Sequence, residues 1–151
     1  MAFKRWMYRD GRPHTLAKLL NSGWAFLHAR GIAPDYLVTL EVVGRQSGKT
    51  VSLPLVMAVV DGGRYLVSML GKDASWVRNV EAAGGYAALR HGVTEEVRLT
   101  VVPENERPPI LKEYLRRAPG ARPHIPVDKD APLTEFEKVA AEYPVFRVEP
   151  A

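Results

Sequence analysis

Runs of β-branched and aromatic residues, separated by glycine-rich breaks, occupy the middle of the chain. Tyr36–Val43 (YLVTLEVV) and Thr50–Val60 are typical of strands. The residues DGG at 61–63 favour a tight hairpin turn into a third strand over Arg64–Leu70. YAALRH and EEVRLTVV, on the two sides of Gly92, predict a further hairpin. At least five mostly antiparallel strands are therefore expected.

Apolar residues recur at helical spacing on both sides of this β-rich region. Pro13 to about Arg30 predicts a helix packed on the core. A short helix is expected to start at 73–75 and to run through WVRNVEAA until the glycines at 84–85. Glu104–Arg117 predicts another helix, with two prolines in its first turn.

The carboxy-terminal region predicts a last helix and a last strand. Thr134–Tyr143 is expected to be helical, with Thr134 and Glu137 at the spacing of a capping box. The sequence PVFRVEP that follows is a strand candidate. Because few helices separate the strands, a small antiparallel barrel with flanking helices (an α+β fold) is favoured over a parallel sheet. We expect one domain over 13–151, preceded by a basic and aromatic segment over 1–12.

Composition and charge exclude several classes of function. The 151 residues contain no cysteine, which excludes disulfides, thiolate catalysis and zinc–thiolate sites and agrees with a cytoplasmic location. No apolar run is long enough to span a bilayer. The segment 1–12 is either a loosely ordered terminus or a peripheral membrane contact. The net charge of +4 suits an anionic ligand, but scattered basic residues without a recognition motif argue against nucleic acid.

The stretch GRQSGKT, residues 44–50, ends like a phosphate-binding P-loop. A P-loop needs four residues between its glycines and opens directly into a helix. Here three residues separate Gly44 from Gly48, and a proline-containing strand follows. The stretch is therefore not a nucleotide-hydrolysing loop. It is either an anion-binding turn that uses Arg45, Ser47 and Lys49 or an ordinary solvated hairpin turn.

Candidate chemistry outside this turn is sparse. No GxSxG or HExxH motif occurs, and the four histidines show no ligand spacing, so no metal site and no catalytic residue is identified. The proline-rich segment 118–132 contains His124 and Asp128, which form one hypothetical acid–base pair. Near the predicted short helix, Trp76 is either core or the wall of a site for a flat cofactor.

The combination LEVVGRQSGK, Pro54, DGGRYLVSML and SWVRN resembles the deazaflavin-dependent nitroreductase family. That family belongs to the flavin and deazaflavin oxidoreductases with a split β-barrel fold. Its signature is a Gly-Arg-x-Ser-Gly turn, a later proline and a Trp-x-x-Asn pair, here Trp76 and Asn79. The resemblance covers about residues 36–102. The chain departs from the family at Gln46 and Val51, where relatives often have lysine and arginine.

The resemblance implies an oxidoreductase that binds coenzyme F-420, a deazaflavin, and transfers hydride to a quinone, nitro compound or enone. The implied cofactor site consists of Arg45, Gln46, Ser47, Gly48, Lys49, Pro54, Val56, Ser68, Met69, Lys72, Trp76 and Asn79. Trp24 and His124 are expected to line a substrate pocket. Two alternatives stay open: an FMN-binding oxidoreductase, and a non-catalytic lipid- or fatty-acid-binding protein. A homodimer is also consistent with this fold.

Overall fold

A computed structural model describes residues 36–151 of the chain. The predictions for the segment 1–12, the helix 13–30 and Trp24 lie outside the described residues. No described helix is long and apolar enough to cross a membrane.

Six antiparallel strands close into a barrel in the order β1-β2-β3-β6-β5-β4, and β4 pairs with β1. This confirms the predicted antiparallel barrel. The strands are β1 (Leu37–Val43), β2 (Thr50–Val60), β3 (Gly63–Val67), β4 (Tyr86–His91), β5 (Val93–Val101) and β6 (Val145–Pro150).

Within residues 36–151, three short α-helices flank the barrel, namely α1 (Ser75–Ala82), α2 (Pro108–Arg117) and α3 (Leu133–Glu137). Single 3₁₀ turns lie at Glu104–Glu106, Pro119–Ala121 and Ala140–Glu142.

The third strand ends three residues earlier than predicted. The chain leaves the sheet after Val67 because the buried Ser68 donates from its backbone N–H to Pro144 O (3.0 Å) and from its hydroxyl to Gly71 O (2.6 Å). Gly71 then adopts a φ of +88°, a conformation that favours glycine. Met69 and Leu70 therefore lie in a turn at the end of the barrel.

The helix predicted over Glu104–Arg117 is divided in two. Proline has no backbone N–H, so Pro108 cannot donate to the carbonyl of Glu104. That carbonyl accepts the Arg107 N–H instead (3.2 Å), which closes a 3₁₀ turn. The α-helix begins at Pro108, where proline fits the first helical position.

The helix predicted over Thr134–Tyr143 is wrong in both its start and its length. The helix starts at Leu133 after Pro132, and no side chain caps it, so Thr134 lies inside the first turn and the capping box does not form. It ends at Glu137. Farther along, the Ala140 carbonyl accepts a hydrogen bond from the Arg107 guanidinium (2.8 Å), a tertiary contact that a sequence pattern does not reveal.

Two apolar cores lie on the two faces of the sheet. Inside the barrel, Val38, Leu40 and Val42 of β1 pack with Trp76 and Phe146, whose rings lie 5.6 Å apart. On the outer face, side chains of β2, β3 and β6 pack against α2 and α3. This outer core includes Leu37, Val56, Val67, Leu111, Leu115, Phe136 and Val145. The sheet is therefore apolar on both faces where α2 and α3 cover it.

Among the strands that the structure describes, the first half of β2 pairs with β1 alone. Thr50–Val56 is in register with β1, whereas only Met57–Val60 is in register with β3. Pro54 lies in this single-sided stretch, where a residue without an N–H does not interrupt a second ladder. The barrel is thus split between the start of β2 and the segment that follows β3.

An ion pair stands at the other end of β3. Arg64 donates two hydrogen bonds of 2.8 Å to the two carboxylate oxygens of Glu95 on β5. Arg64 lies two residues before the interior Leu66, and Glu95 is in register with the interior Leu89, so both side chains face inward. The pair closes the end of the barrel that lies away from the split.

Because of the Arg64–Glu95 ion pair, we expect part of the free energy of unfolding to depend on pH. The hydrogen bonds from Arg64 lower the pKa of Glu95, so the stabilisation is present above the carboxyl's ordinary pKa of 4.5 and is lost as the pH falls through the lower folded-state pKa. We expect Arg64→Gln to lower the free energy of unfolding at pH 7 by at most about 1 kcal/mol, because both side chains are part-exposed. The difference from wild type should shrink towards about pH 3 in urea titrations.

The control for this experiment is Lys138→Gln, which removes the exposed Lys138–Glu135 pair. It should show no comparable dependence on pH. A wild-type advantage over Arg64→Gln that persists unchanged at low pH would contradict the assignment.

Replacing Arg107 is expected to lower the free energy of unfolding more than replacing Arg64. Its Nε donates to Val102 O (2.9 Å) and its Nη1 to Ala140 O (2.8 Å), which ties the start of α2 to two other segments. Arg107→Met should lower the free energy of unfolding by about 2–3 kcal/mol, since hydrogen bonds to charged groups contribute about 1.5–3 kcal/mol. Arg116→Met, on the exposed side of α2, is the matched control in urea unfolding. Equal midpoints for the two variants would contradict this role.

Candidate functional site

The glycine-flanked turn between β1 and β2 is closed by its own backbone. Gly44 N–H donates to Lys49 O (2.8 Å), and Gly48 N–H donates to Gly44 O (2.9 Å). The Ser47 hydroxyl accepts the Lys49 N–H (3.1 Å). A Cβ at Gly44 would lie 2.8 Å from that hydroxyl oxygen, so the turn requires glycine there. Ser47 therefore shapes the turn as well as lying at its surface.

A buried asparagine fixes the turn against α1. The Asn79 side-chain oxygen accepts both the Arg45 backbone N–H (3.0 Å) and the Arg45 Nη1 (2.8 Å). The same Nη1 lies 3.3 Å from the carbonyl and from the hydroxyl of Ser75, at the start of α1. Arg45 and the Trp-x-x-Asn pair of the sequence are thus one structural unit.

The outer surface of the turn is a donor-rich site. Among residues 36–151, the backbone N–H groups of Gln46 and Ser47 make no hydrogen bond, and the side chains of Arg45 and Lys49 are exposed beside them. Adjacent backbone donors next to cations suit an anion such as a phosphate. A cavity of about 410 Å³ adjoins the turn and is also lined by Ala82, Ala83 and Tyr86.

An apolar cleft of about 420 Å³ opens at the split of the barrel. One wall is the single-sided stretch of β2, another is the turn after β3 with Trp76, and a third is the end of α2 with the segment that follows it. The lining residues are Leu53, Pro54, Leu55, Val56, Val67, Met69, Leu70, Trp76, Tyr114, Ala118, Gly120, Ala121 and His124. The cleft begins three residues after β2 leaves the turn, about 10 Å along the strand.

Side-chain bonds to backbone carbonyls hold the segment that forms the third wall. Tyr143 donates its hydroxyl to His124 O (2.7 Å), and Lys112 Nζ donates to Ala131 O (2.8 Å). Arg122 Nε lies 3.3 Å from Leu115 O. The segment 118–132, which was predicted as a loop, is therefore ordered against α2 and contains only one 3₁₀ turn.

The structure brings together two groups of the predicted site residues. Pro54, Val56, Met69, Trp76 and His124 line the cleft. The other group, consisting of Arg45, Gln46, Ser47, Gly48, Lys49 and Asn79, forms the turn and its anchor.

Two residues of the predicted cofactor site, Ser68 and Lys72, belong neither to the glycine-flanked turn nor to the lining of the cleft. Ser68 is fully buried, and its hydroxyl bond to Gly71 O makes it a residue that shapes the turn. Lys72 is exposed in the turn before α1 and is not among the residues that line the cleft. In the described chain no hydrogen bond joins His124 to Asp128, because the Asp128 carboxylate accepts the backbone N–H of Asp130 (2.8 Å). The hypothetical acid–base pair is therefore not formed.

The cleft also contains residues that sequence reasoning missed. Tyr114 and Ala118 reach it from α2, whose helical pattern was recognised although no residue of it was assigned to a site. Burial raises the pKa of the Tyr114 hydroxyl, so this side chain stays protonated over the physiological range. The described residues contain no group of three or more acidic or histidine side chains that could hold a metal ion.

A family model described as F420H2-dependent quinone reductase matches residues 28–124. No curated protein matches the chain.

Solved structures with this fold include a protein of unknown function from Agrobacterium tumefaciens, with a TM-score of 0.55 and 14% identity over 75% of this chain. The present chain spans 47% of that protein's length. A Mycobacterium smegmatis protein that binds FAD and heme gives a TM-score of 0.53 and 15% identity over 77% of this chain and 61% of its own. A structure described as a domain-swapped dimer gives 0.52 and 18% identity over 85% and 99%. These likenesses show the shared barrel fold.

The anchor between the turn and α1 predicts an effect on local order. Asn79→Ala removes the acceptor of two Arg45 hydrogen bonds, and each is worth about 0.5–1.5 kcal/mol or more. We expect the amide of Arg45 to exchange with deuterium at least about fivefold faster. Arg78→Ala, one position earlier on the exposed face of α1, is the control and should leave that exchange unchanged. Equal exchange rates in both variants would contradict the anchoring role.

Proposed function

The chain belongs to the F420H2-dependent quinone reductase family, whose model covers residues 28–124, and it is an F420-dependent oxidoreductase; from this premise we propose that it transfers hydride from reduced coenzyme F-420 to a quinone held in the cleft at the barrel split. The observation that carries this proposal is the continuity of the two sites. The donor-rich turn leads directly into β2, and the apolar cleft begins about 10 Å along that strand.

The turn is chemically suited to the phosphate of the coenzyme. Arg45 and Lys49 supply positive charge, and the Gln46 and Ser47 N–H groups supply two neighbouring backbone donors. The bond from Arg45 to Asn79 orients one side of the guanidinium and leaves the other nitrogens available to an anion. We propose that these four residues bind the phosphate.

The cleft is chemically suited to a flat aromatic ring system. Its wall is almost entirely aliphatic or aromatic, with Pro54 and Met69 on either side of the split and Trp76 at its inner end. The edge of β2 that faces away from β1 directs alternate backbone N–H and C=O groups towards the split. Such groups can pair with the polar edge of a deazaflavin ring, while the side chains cover its faces.

When bound, the coenzyme supplies the hydride. The protein's own residues then need to bind, orient and exclude water, and an apolar cleft with a fixed entrance fulfils these tasks. This agrees with the absence, among the described residues, of a hydrogen-bonded nucleophile or acid–base pair in the cleft.

The departures at Gln46 and Val51 bear on affinity. Val51 is 38% exposed and lies against the turn, where its Cγ2 would be 3.2 Å from a Cβ at Gly44. A cation at either position would stand near the proposed phosphate. We propose that the chain binds the coenzyme with fewer cationic contacts than relatives that carry lysine and arginine there, and that Lys49 supplies one replacement.

The family name motivates a quinone as the acceptor. A planar, largely apolar quinone suits the aliphatic walls, and nitro compounds and enones share its conjugated, oxygen-bearing shape. His124 contributes polarity at the wall formed by the segment 118–132. The homodimer and the membrane contact of segment 1–12 stay predictions, the first of them supported by the neighbour described as a domain-swapped dimer.

The test is a fluorescence titration of coenzyme F-420 with the purified protein, run in parallel with FMN. Arg45→Glu should weaken F-420 binding by about 10- to 100-fold, the value of one charged hydrogen bond. The matched control is Arg147→Glu, which makes the same charge change on an exposed side chain of β6. Lys49→Gln should give a smaller loss, and all losses should diminish at high salt.

Each outcome has a distinct meaning. Saturable F-420 binding that Arg45→Glu abolishes and Arg147→Glu retains supports the phosphate site. If the protein binds FMN but not F-420, the cleft remains the proposed cofactor site and the cofactor is FMN. If neither binds and native mass spectrometry shows a co-purified lipid, the reductase proposal fails and the lipid-binding alternative takes its place.

A further inference from the structure

Tyr114 combines deep burial with an unused polar group. Its side chain is 4% exposed and belongs to the core between α2 and the barrel, and it also lines the cleft. Its hydroxyl makes no hydrogen bond to any residue from 36 to 151. Its oxygen is accessible rather than fully enclosed, and it therefore opens onto the cleft that the ring lines. Phenylalanine would provide the same ring packing without a hydrogen-bond donor.

A neighbouring tyrosine shows the contrast. Tyr143, which is also buried, donates its hydroxyl to His124 O at 2.7 Å and so fixes the wall segment of the cleft. The hydroxyl of Tyr143 therefore has its hydrogen-bond partner within the fold. The hydroxyl of Tyr114 has only the cleft from which to gain an acceptor.

The other residues that line the cleft offer few polar side-chain groups. Apart from Tyr114 and His124, the lining side chains are aliphatic, thioether, indole or absent. His124 is exposed at the outside, whereas Tyr114 reaches the inner wall from α2. Besides the exposed His124, an acceptor molecule in the cleft thus meets two side-chain donors, the Tyr114 hydroxyl and the Trp76 indole N–H.

We propose that the Tyr114 hydroxyl donates a hydrogen bond to the carbonyl or nitro oxygen of the acceptor molecule and so selects oxygen-bearing acceptors. This inference rests on the proposed function and names the recognition residue of that same cleft. Hydride transfer to a conjugated carbonyl forms one bond at the acceptor and leaves negative charge on its oxygen. A fixed neutral donor stabilises that charge as it develops.

The proton that completes the reduction comes from water. Because burial raises the pKa of Tyr114, its hydroxyl remains a donor throughout the accessible pH range and does not itself ionise. Tyr114 is therefore a positioning and specificity-determining residue.

The experiment compares Tyr114→Phe with Tyr143→Phe, the same chemical change at a satisfied hydroxyl. Activity is measured with reduced coenzyme F-420 and two acceptors, a simple naphthoquinone and a tetrazolium dye that has neither a carbonyl nor a nitro oxygen. Tyr114→Phe should lower kcat/KM for the naphthoquinone by about 3- to 10-fold, the value of one hydrogen bond, and leave the dye unchanged. Its F-420 affinity should equal that of wild type.

Thermal unfolding adds a readout that separates recognition from structure. Tyr114→Phe should unfold at the wild-type temperature, because the hydroxyl that it removes makes no hydrogen bond to the described residues. Tyr143→Phe should unfold at a lower temperature. A lower unfolding temperature for Tyr114→Phe, or an equal loss with both acceptors, would overturn the proposal.

Failure of the reductase proposal is distinguishable. If wild-type protein neither binds coenzyme F-420 nor reduces the naphthoquinone, calorimetric titration of the naphthoquinone into wild type and Tyr114→Phe tests the donor alone. Weaker binding by the variant supports the hydroxyl as the recognition group. Equal affinity, or no binding to either protein, overturns it.

Discussion

The architecture depends on where β2 stops pairing with β3. Because Val67 is the last residue of β3, the stretch Thr50–Val56 is in register with β1 alone among the described strands, and the barrel opens along its other edge. An exposed strand edge is ordinarily a liability, because its free backbone groups invite pairing with another chain. Here Pro54 and the wall made by α2 and the segment 118–132 occupy that edge, so the opening serves as a binding cleft.

The two ends of the proposed site are held by different kinds of contact. At the turn, Asn79 accepts two hydrogen bonds from Arg45, so the proposed phosphate end is fixed by polar and charged groups of the turn and of α1. At the cleft, the position of the walls follows from apolar packing on both faces of the sheet. Trp76 belongs to both regions, since it lies three residues before Asn79 and packs on Phe146 inside the barrel.

The strands could be predicted because their patterns are local. The DGG turn at 61–63 and the run Thr50–Val60 carry their own conformational preferences, and the structure follows them. The motif of turn, proline and Trp-x-x-Asn also supplied residues at both ends of the proposed site. The helix over Thr134–Tyr143 was wrong because the Arg107 contact and the packing of Phe136, both distant in sequence, outweigh local spacing. Tyr114 was missed because a tyrosine on an apolar helix face has the pattern of a core residue.

The segment 118–132 differs from the other walls of the cleft in how it is positioned. Side chains of Lys112, Arg122 and Tyr143 attach it to the protein, whereas β2 and β3 are integral to the barrel ladders. A substitution in this segment can therefore reshape one wall while the hydrogen-bonded framework and the turn remain intact. In evolutionary terms, the chain separates the proposed coenzyme-binding turn from an adjustable boundary of the cleft, so that the range of acceptors can change through substitutions in this segment without renewed selection of the fold.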